Sequence, residues 1–155
     1  MTSSGLVSGT PTQQSTVSFT VQANDANGLT GQLAYTVSVA GIPFFAGAVN
    51  GGDGTLFLEF PDSNVFGFYG PLGGSWIYHA DLGYEYVAPG NGPEVYLWDL
   101  SSGHWLYTNT STFPYLYDFT LNAWLYYFPD TKNAGHYTTS PRYFANMTTG
   151  RIFTM

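Results

Sequence analysis

Between Ser15 and Val39 the chain alternates twice between apolar and polar positions. Val17, Phe19 and Val21 fall on one side of "STVSFTVQA", and Leu33, Tyr35, Val37 and Val39 on one side of "LAYTVSV". A period of two marks a strand with one apolar face. "NDANG" separates the runs, and Asn27-Gly28 supplies left-handed turn residues, so residues 1–40 read as one hairpin. Next, "TLFLEF" and "VFGFYG" flank "PDSN" and predict a second hairpin.

From Trp76 onward the pattern repeats. The tetrads "WIYH", "YLWD", "YLYD" and "YFAN" end at His79, Asp99, Asp118 and Asn146. Each is followed by Gly83, Gly103, Asn122 or Gly150, and then by "YEYV", "HWLYT", "AWLYY" or "RIFTM". A side chain of the Asp or Asn kind can bond nearby backbone N–H groups and start a turn. Glycine and asparagine tolerate positive φ and can close one. The unit is therefore a strand, a turn and an antiparallel return. Period two sorts its faces. Ile77, Leu97, Leu106, Leu116, Leu125 and Phe144 share the aliphatic face and read as core. Trp76, Tyr78, Tyr96, Trp98, Trp105, Tyr107, Tyr115, Tyr117, Trp124 and Tyr126 share the other. That array is either covered by a second layer or exposed to a ligand or subunit.

The expected fold is all-β, built of antiparallel β-hairpin repeats in a meander, sandwich or β-stack. Its expected division is residues 1–40 and residues 41–155. Glycine, proline, aromatics and threonine outweigh alanine, glutamate and lysine, and no helix is expected.

Two resemblances sharpen this reading. The stretch "GLVSGTPTQQSTVSFTVQANDANGLTGQLAYTVSV" resembles the closing part of bacterial immunoglobulin-like domains, with their G-T-P-T lead-in, F-T-V-x-A strand and D-A-N-G turn. The earlier strands of such a domain have no counterpart, and a lone two-stranded hairpin is marginal. Residues 76–153 are similar to an aromatic-rich segment of large bacterial surface proteins that follows immunoglobulin-like modules. This second resemblance implies a cell-surface location and no set activity. The repeat is loosely similar to the hairpins of choline-binding wall modules, but its spacing and its Asp-x-x-x-Gly turn differ, so choline binding is not implied.

Composition narrows the function. Charged residues make up 8% of the chain, against roughly 25% in average domains, which favours self-association. Ten acidic residues against three basic ones exclude a nucleic-acid surface. Lys132, Arg142 and Arg151 lie after every acidic residue and form a basic tail suited to head-to-tail charge matching. No apolar run approaches the roughly 18 residues of a membrane span. The polar start "MTSSGLVSGTPT" is unlike a signal peptide, so export would depend on a signal outside it.

Candidate chemistry is thin. Cysteine is absent, and neither HExxH nor GxSxG occurs. His79 stands where other copies place Asp or Asn, and so reads as a turn residue. Asp81, Glu85, Glu94 and Asp99 are the candidates for a carboxylate pair. Calcium is the better metal expectation, at "NDANG" and "GGDG". "NTS" at Asn109 and "NMT" at Asn146 fit the glycosylation triplet. No other cofactor is expected. The reading is a non-catalytic, exported structural or adhesion protein that self-associates by strand addition and aromatic contacts. The alternative is a carbohydrate-binding module with an exposed aromatic platform.

Overall fold

In a computed structural model, residues 15–39 and 43–155 are described. The "GLVSGTPT" lead-in lies outside them. The chain divides into two units, Met1–Gly41 and Ile42–Met155.

The first unit contains β1 (Ser15–Asn24) and β2 (Thr30–Val39), paired antiparallel from Ser15↔Val39 to Asn24↔Thr30. Asp25 forms the turn. Its Oδ1 accepts the backbone N–H of Asn27 and of Leu29, both at 2.8 Å, and Gly28 takes a φ of 81°. Val17, Leu33, Tyr35 and Val37 are exposed, and Phe19 stacks on Tyr35 at 5.7 Å.

The second unit is one antiparallel sheet of eleven strands, with every neighbour consecutive in the chain. Its strands are β3 (Val49–Gly52), β4 (Thr55–Glu59), β5 (Val65–Gly73), β6 (Trp76–His79), β7 (Gly83–Pro89), β8 (Glu94–Asp99), β9 (His104–Asn109), β10 (Tyr115–Asp118), β11 (Ala123–Tyr127), β12 (Tyr143–Asn146) and β13 (Ile152–Thr154). The fold is all-β, and the repeat forms a meander.

Alternation decides which face is the core. Ile77, Leu97, Leu106, Leu116, Leu125 and Phe144 are all buried. The sheet bends around this inner face, so that strands far apart in its order meet across the core, while its end strands β3 and β13 stay unpaired with each other. Phe66 of β5 meets Phe113, from the β9–β10 connection, at 5.1 Å. The β11–β12 connection lies against both ends of the curve. From it, Tyr137 packs on Phe113 at 5.3 Å and on Tyr127 at 4.8 Å, and its hydroxyl donates to the Val65 carbonyl. Phe44 and Phe60 belong to the same buried cluster, with Leu58, Tyr69, Leu82 and Val95. A single sheet thus supplies an enclosed core without a second layer stacked on it.

Candidate functional site

Polar side chains hold the hairpin turns. Asp99 Oδ1 accepts the Ser101 N–H at 3.0 Å. Asp118 Oδ1 accepts those of Thr120 and Leu121, and Asn146 Oδ1 those of Thr148 and Thr149. His79 does the same with a ring nitrogen: its Nδ1 accepts the N–H of Asp81 at 3.1 Å and of Leu82 at 3.0 Å. Those donors fix the tautomer, so Nε2 carries the proton and donates to the Phe66 carbonyl at 2.7 Å. Gly83, Gly103, Asn122 and Gly150 all have positive φ, between 50° and 94°. Asn109 Oδ1 likewise accepts from Ser111 and Thr112, so both triplet asparagines are engaged in turns.

The aromatic residues form the outer face. Trp76 and Tyr86 meet edge to face at 5.5 Å, Trp98 and Trp105 at 5.6 Å, Tyr117 and Trp124 at 5.5 Å. Tyr96 pairs with Tyr107 and Tyr115 with Tyr126, while Tyr107 of β9 reaches Trp124 of β11, beyond the intervening β10, at 6.1 Å. Most of these pairs stand opposite one another in the strand register. Such pairs contribute about 0.5–1.5 kcal/mol each beyond the area they bury. They leave the outer edges of the rings in solvent: Trp105 and Trp124 are each 36% exposed, Tyr115 and Tyr78 more so. Tyr107 donates its hydroxyl to Glu94 at 3.1 Å and Tyr117 to Asn122 at 2.6 Å. Tyr84, Tyr86 and Tyr143 extend the face, and sequence reasoning missed them. Their period-two spacing on β7 and β12 was the available signal.

His79, Asp81, Glu85, Asp99 and Asp118 are buried. Glu85 stands directly opposite Asp99, and both are fully buried. Asp99 Oδ2 receives Arg142 Nη2 at 2.8 Å. Arg142 also donates Nη1 to the Leu82 carbonyl and Nε to that of Met155. The expected basic tail therefore fails at Arg142, whose charge is spent within the fold. Neither Glu85 oxygen has a hydrogen-bond partner. Desolvation, then the nearby Asp99 charge, hold its carboxyl well above the usual range, with Arg142 opposing. Desolvation lowers His79 to about 4, against the raising effects of the Phe66 bond and Asp81.

Two further pairs tie distant segments together. His104 Nδ1 lies 2.7 Å from Asp118 Oδ2. Asp81 receives the Tyr137 N–H at 2.8 Å and stands 3.2 Å from His136 Nδ1. Of the expected carboxylate candidates, the structure brings together Glu85 and Asp99. Asp81 is committed to the β11–β12 connection, and Glu94 sits beside Tyr107 on the outer face. Glu85 and Asp99 have no exposed surface through which to meet a substrate.

Among the described residues no group of three or more His, Asp or Glu side chains is placed to hold a metal ion. Asp25 and Asp53, the acids of the two calcium-like turns, belong to different units. No helix of the described residues is long and apolar enough to cross a membrane.

A family model described as Putative Ig domain matches residues 1–40. The match supports an immunoglobulin-like domain over the stretch that contains β1 and β2. No curated protein and no solved structure matches the chain.

Proposed function

We propose that this chain is a non-catalytic structural or adhesion protein of the bacterial cell surface that associates with copies of itself. The immunoglobulin-like match is consistent with a surface or adhesion protein. One observation carries the reading: six successive strands, β6 to β11, present Trp and Tyr rings to solvent on one face. Apolar patches that large on a lone soluble protein usually mark an interaction surface. Low charge supports the same reading, since little repulsion separates two copies.

The test is light scattering behind size exclusion over a range of protein concentrations. The expected result is a mass that rises with concentration and falls toward one chain in Trp105→Glu and Trp124→Glu. A monomer at every concentration would remove the reading.

The alternative, a carbohydrate-binding module, gains little from the face as a whole. Its rings stand edge to face and offer few flat surfaces to a sugar. The β5–β7 end of that face, where the row of rings stops, suits a sugar better.

A further inference from the structure

The regular aromatic rows of the outer face break off at β5. Tyr84 stands opposite Tyr78, and Tyr78 stands opposite Gly70. One position beyond the Leu56–Tyr69 pair, Thr55 occupies the next place in that row. Where β6 and β7 carry a ring in this row, β5 carries a hydrogen and β4 a threonine. The outcome is a groove of about 550 Å³ walled by Phe68, Leu72, Tyr78 and Tyr84, with Asp53 and Thr55 at one end. That volume lies within the range of small-molecule sites, roughly 300–1,000 Å³.

Nothing in the fold requires a glycine at this position. Gly70 is not in the left-handed region, and a Cβ added there would meet no heavy atom within 4 Å. Gly67, three residues earlier, is different: it has a φ of 103°, and a Cβ would strike the Gly135 carbonyl at 2.7 Å. A strand-interior glycine weakens a sheet; it marks a bulge or bend, such as the register shift at Pro71/Gly73, or a place where a ligand approaches the backbone closely, and the open space over Gly70 favours the ligand.

We infer that this groove is a binding site for a neutral saccharide. A pyranose ring has an apolar face that suits an exposed tyrosine ring and hydroxyls that suit a carboxylate acceptor. Tyr78 and Tyr84 meet at 4.9 Å with their planes at 70°, which forms an apolar corner at the end of the groove. Tyr84 is 50% exposed there. Asp53 and the hydroxyls of Thr55, Tyr78 and Tyr84 provide the polar contacts. The lining contains no lysine or arginine, and the chain carries a net charge of −7, so an acidic sugar is disfavoured. This site does not rest on self-association.

The test is saturation-transfer NMR and calorimetry with four probes: methyl glucoside, methyl mannoside, methyl galactoside and N,N′-diacetylchitobiose. Gly70→Val fills the groove with a side chain that the strand accepts, and its melting curve checks folding. Tyr84→Ala removes the corner without touching Gly70 and decides the question if Gly70→Val does not fold. The expected result is binding of at least one probe, weakened about tenfold or more in both variants and unchanged in Trp124→Ala. Three outcomes overturn the inference: no probe bound, binding undiminished in the groove variants, or binding lost in Trp124→Ala but retained in Gly70→Val. Preference for tetramethylammonium over every sugar would also overturn it, by making the corner a cation site.

Discussion

His79 and Glu85 are buried titratable side chains with opposite linkage to pH. His79 is neutral in the fold, with its value lowered from 6.5 to about 4. The stability it contributes is complete above about 6.5 and is lost as pH falls toward 4. A shift of that size corresponds to about 3 kcal/mol. The physical event is protonation of Nδ1, which removes the acceptor for two turn N–H groups in sight of Asp81 and His136. Glu85 is raised, so the folded state binds its proton more tightly. Its contribution is complete below the unfolded value near 4.5 and is lost as pH rises through the folded value. Urea melts at several pH values separate the two. Glu85→Gln is expected to raise stability at pH 8 by on the order of 1 kcal/mol and to change little at pH 4. His79→Asn keeps a turn acceptor, as Asn146 does, and is expected to flatten the loss between pH 6.5 and 4. It should also lower overall stability by about 1–3 kcal/mol, because the Phe66 carbonyl loses its donor. A His79→Asn variant with the wild-type acid slope would show that this histidine does not control the transition.

Among the strands and turns, local chemistry was the legible part. The spacing of His79, Asp99, Asp118 and Asn146 from Gly83, Gly103, Asn122 and Gly150 marks hairpins because each turn forms within its own eight or so residues. Alternation likewise separated Leu97, Leu106, Leu116 and Leu125 from the rings beside them. What stayed hidden depends on pairs far apart in the chain. Arg142 looked like a tail charge because its partner Asp99 lies 43 residues away. The bond from Tyr137 to Val65 spans 72 residues, and no local pattern announces it. Gly70 looked like one glycine among 19 until the register placed it beside Tyr78. The turns can be tested directly. Gly103 has a φ of 69°, and Gly103→Val is expected to cost about 1–2 kcal/mol. Asn122, at 50°, should accept Asn122→Gly without backbone strain, at a cost of about 0.5 kcal/mol from the lost acceptor of the Tyr117 hydroxyl. Equal costs at the two positions would mean that backbone conformation does not govern these turns.

For the molecule as a whole, the question is which surface could join one copy to another. The eleven-stranded sheet ends in β3 and β13, and both edges are guarded. β13 has three residues, while β3 has four, with a register shift between Asn50 and Gly52. Short, bulged edges resist strand addition. The hairpin is different. Its strands are ten residues long, and each has only the other as a partner among the described residues. Two strands alone are marginal, so β1 and β2 gain most from a third strand. Any strand-addition component of the proposed self-association therefore belongs to the hairpin, and the rings of the outer face would supply a separate contact. The two are separable by substitution. Val37→Lys places a charge on the exposed apolar side of β2, where it would oppose docking of another strand. With both contacts in use, Val37→Lys and Trp105→Glu should each lower the mass measured at high protein concentration, and the double variant should lower it further. Association that persists in Val37→Lys but disappears in Trp105→Glu would remove strand addition and leave the aromatic face as the only joint.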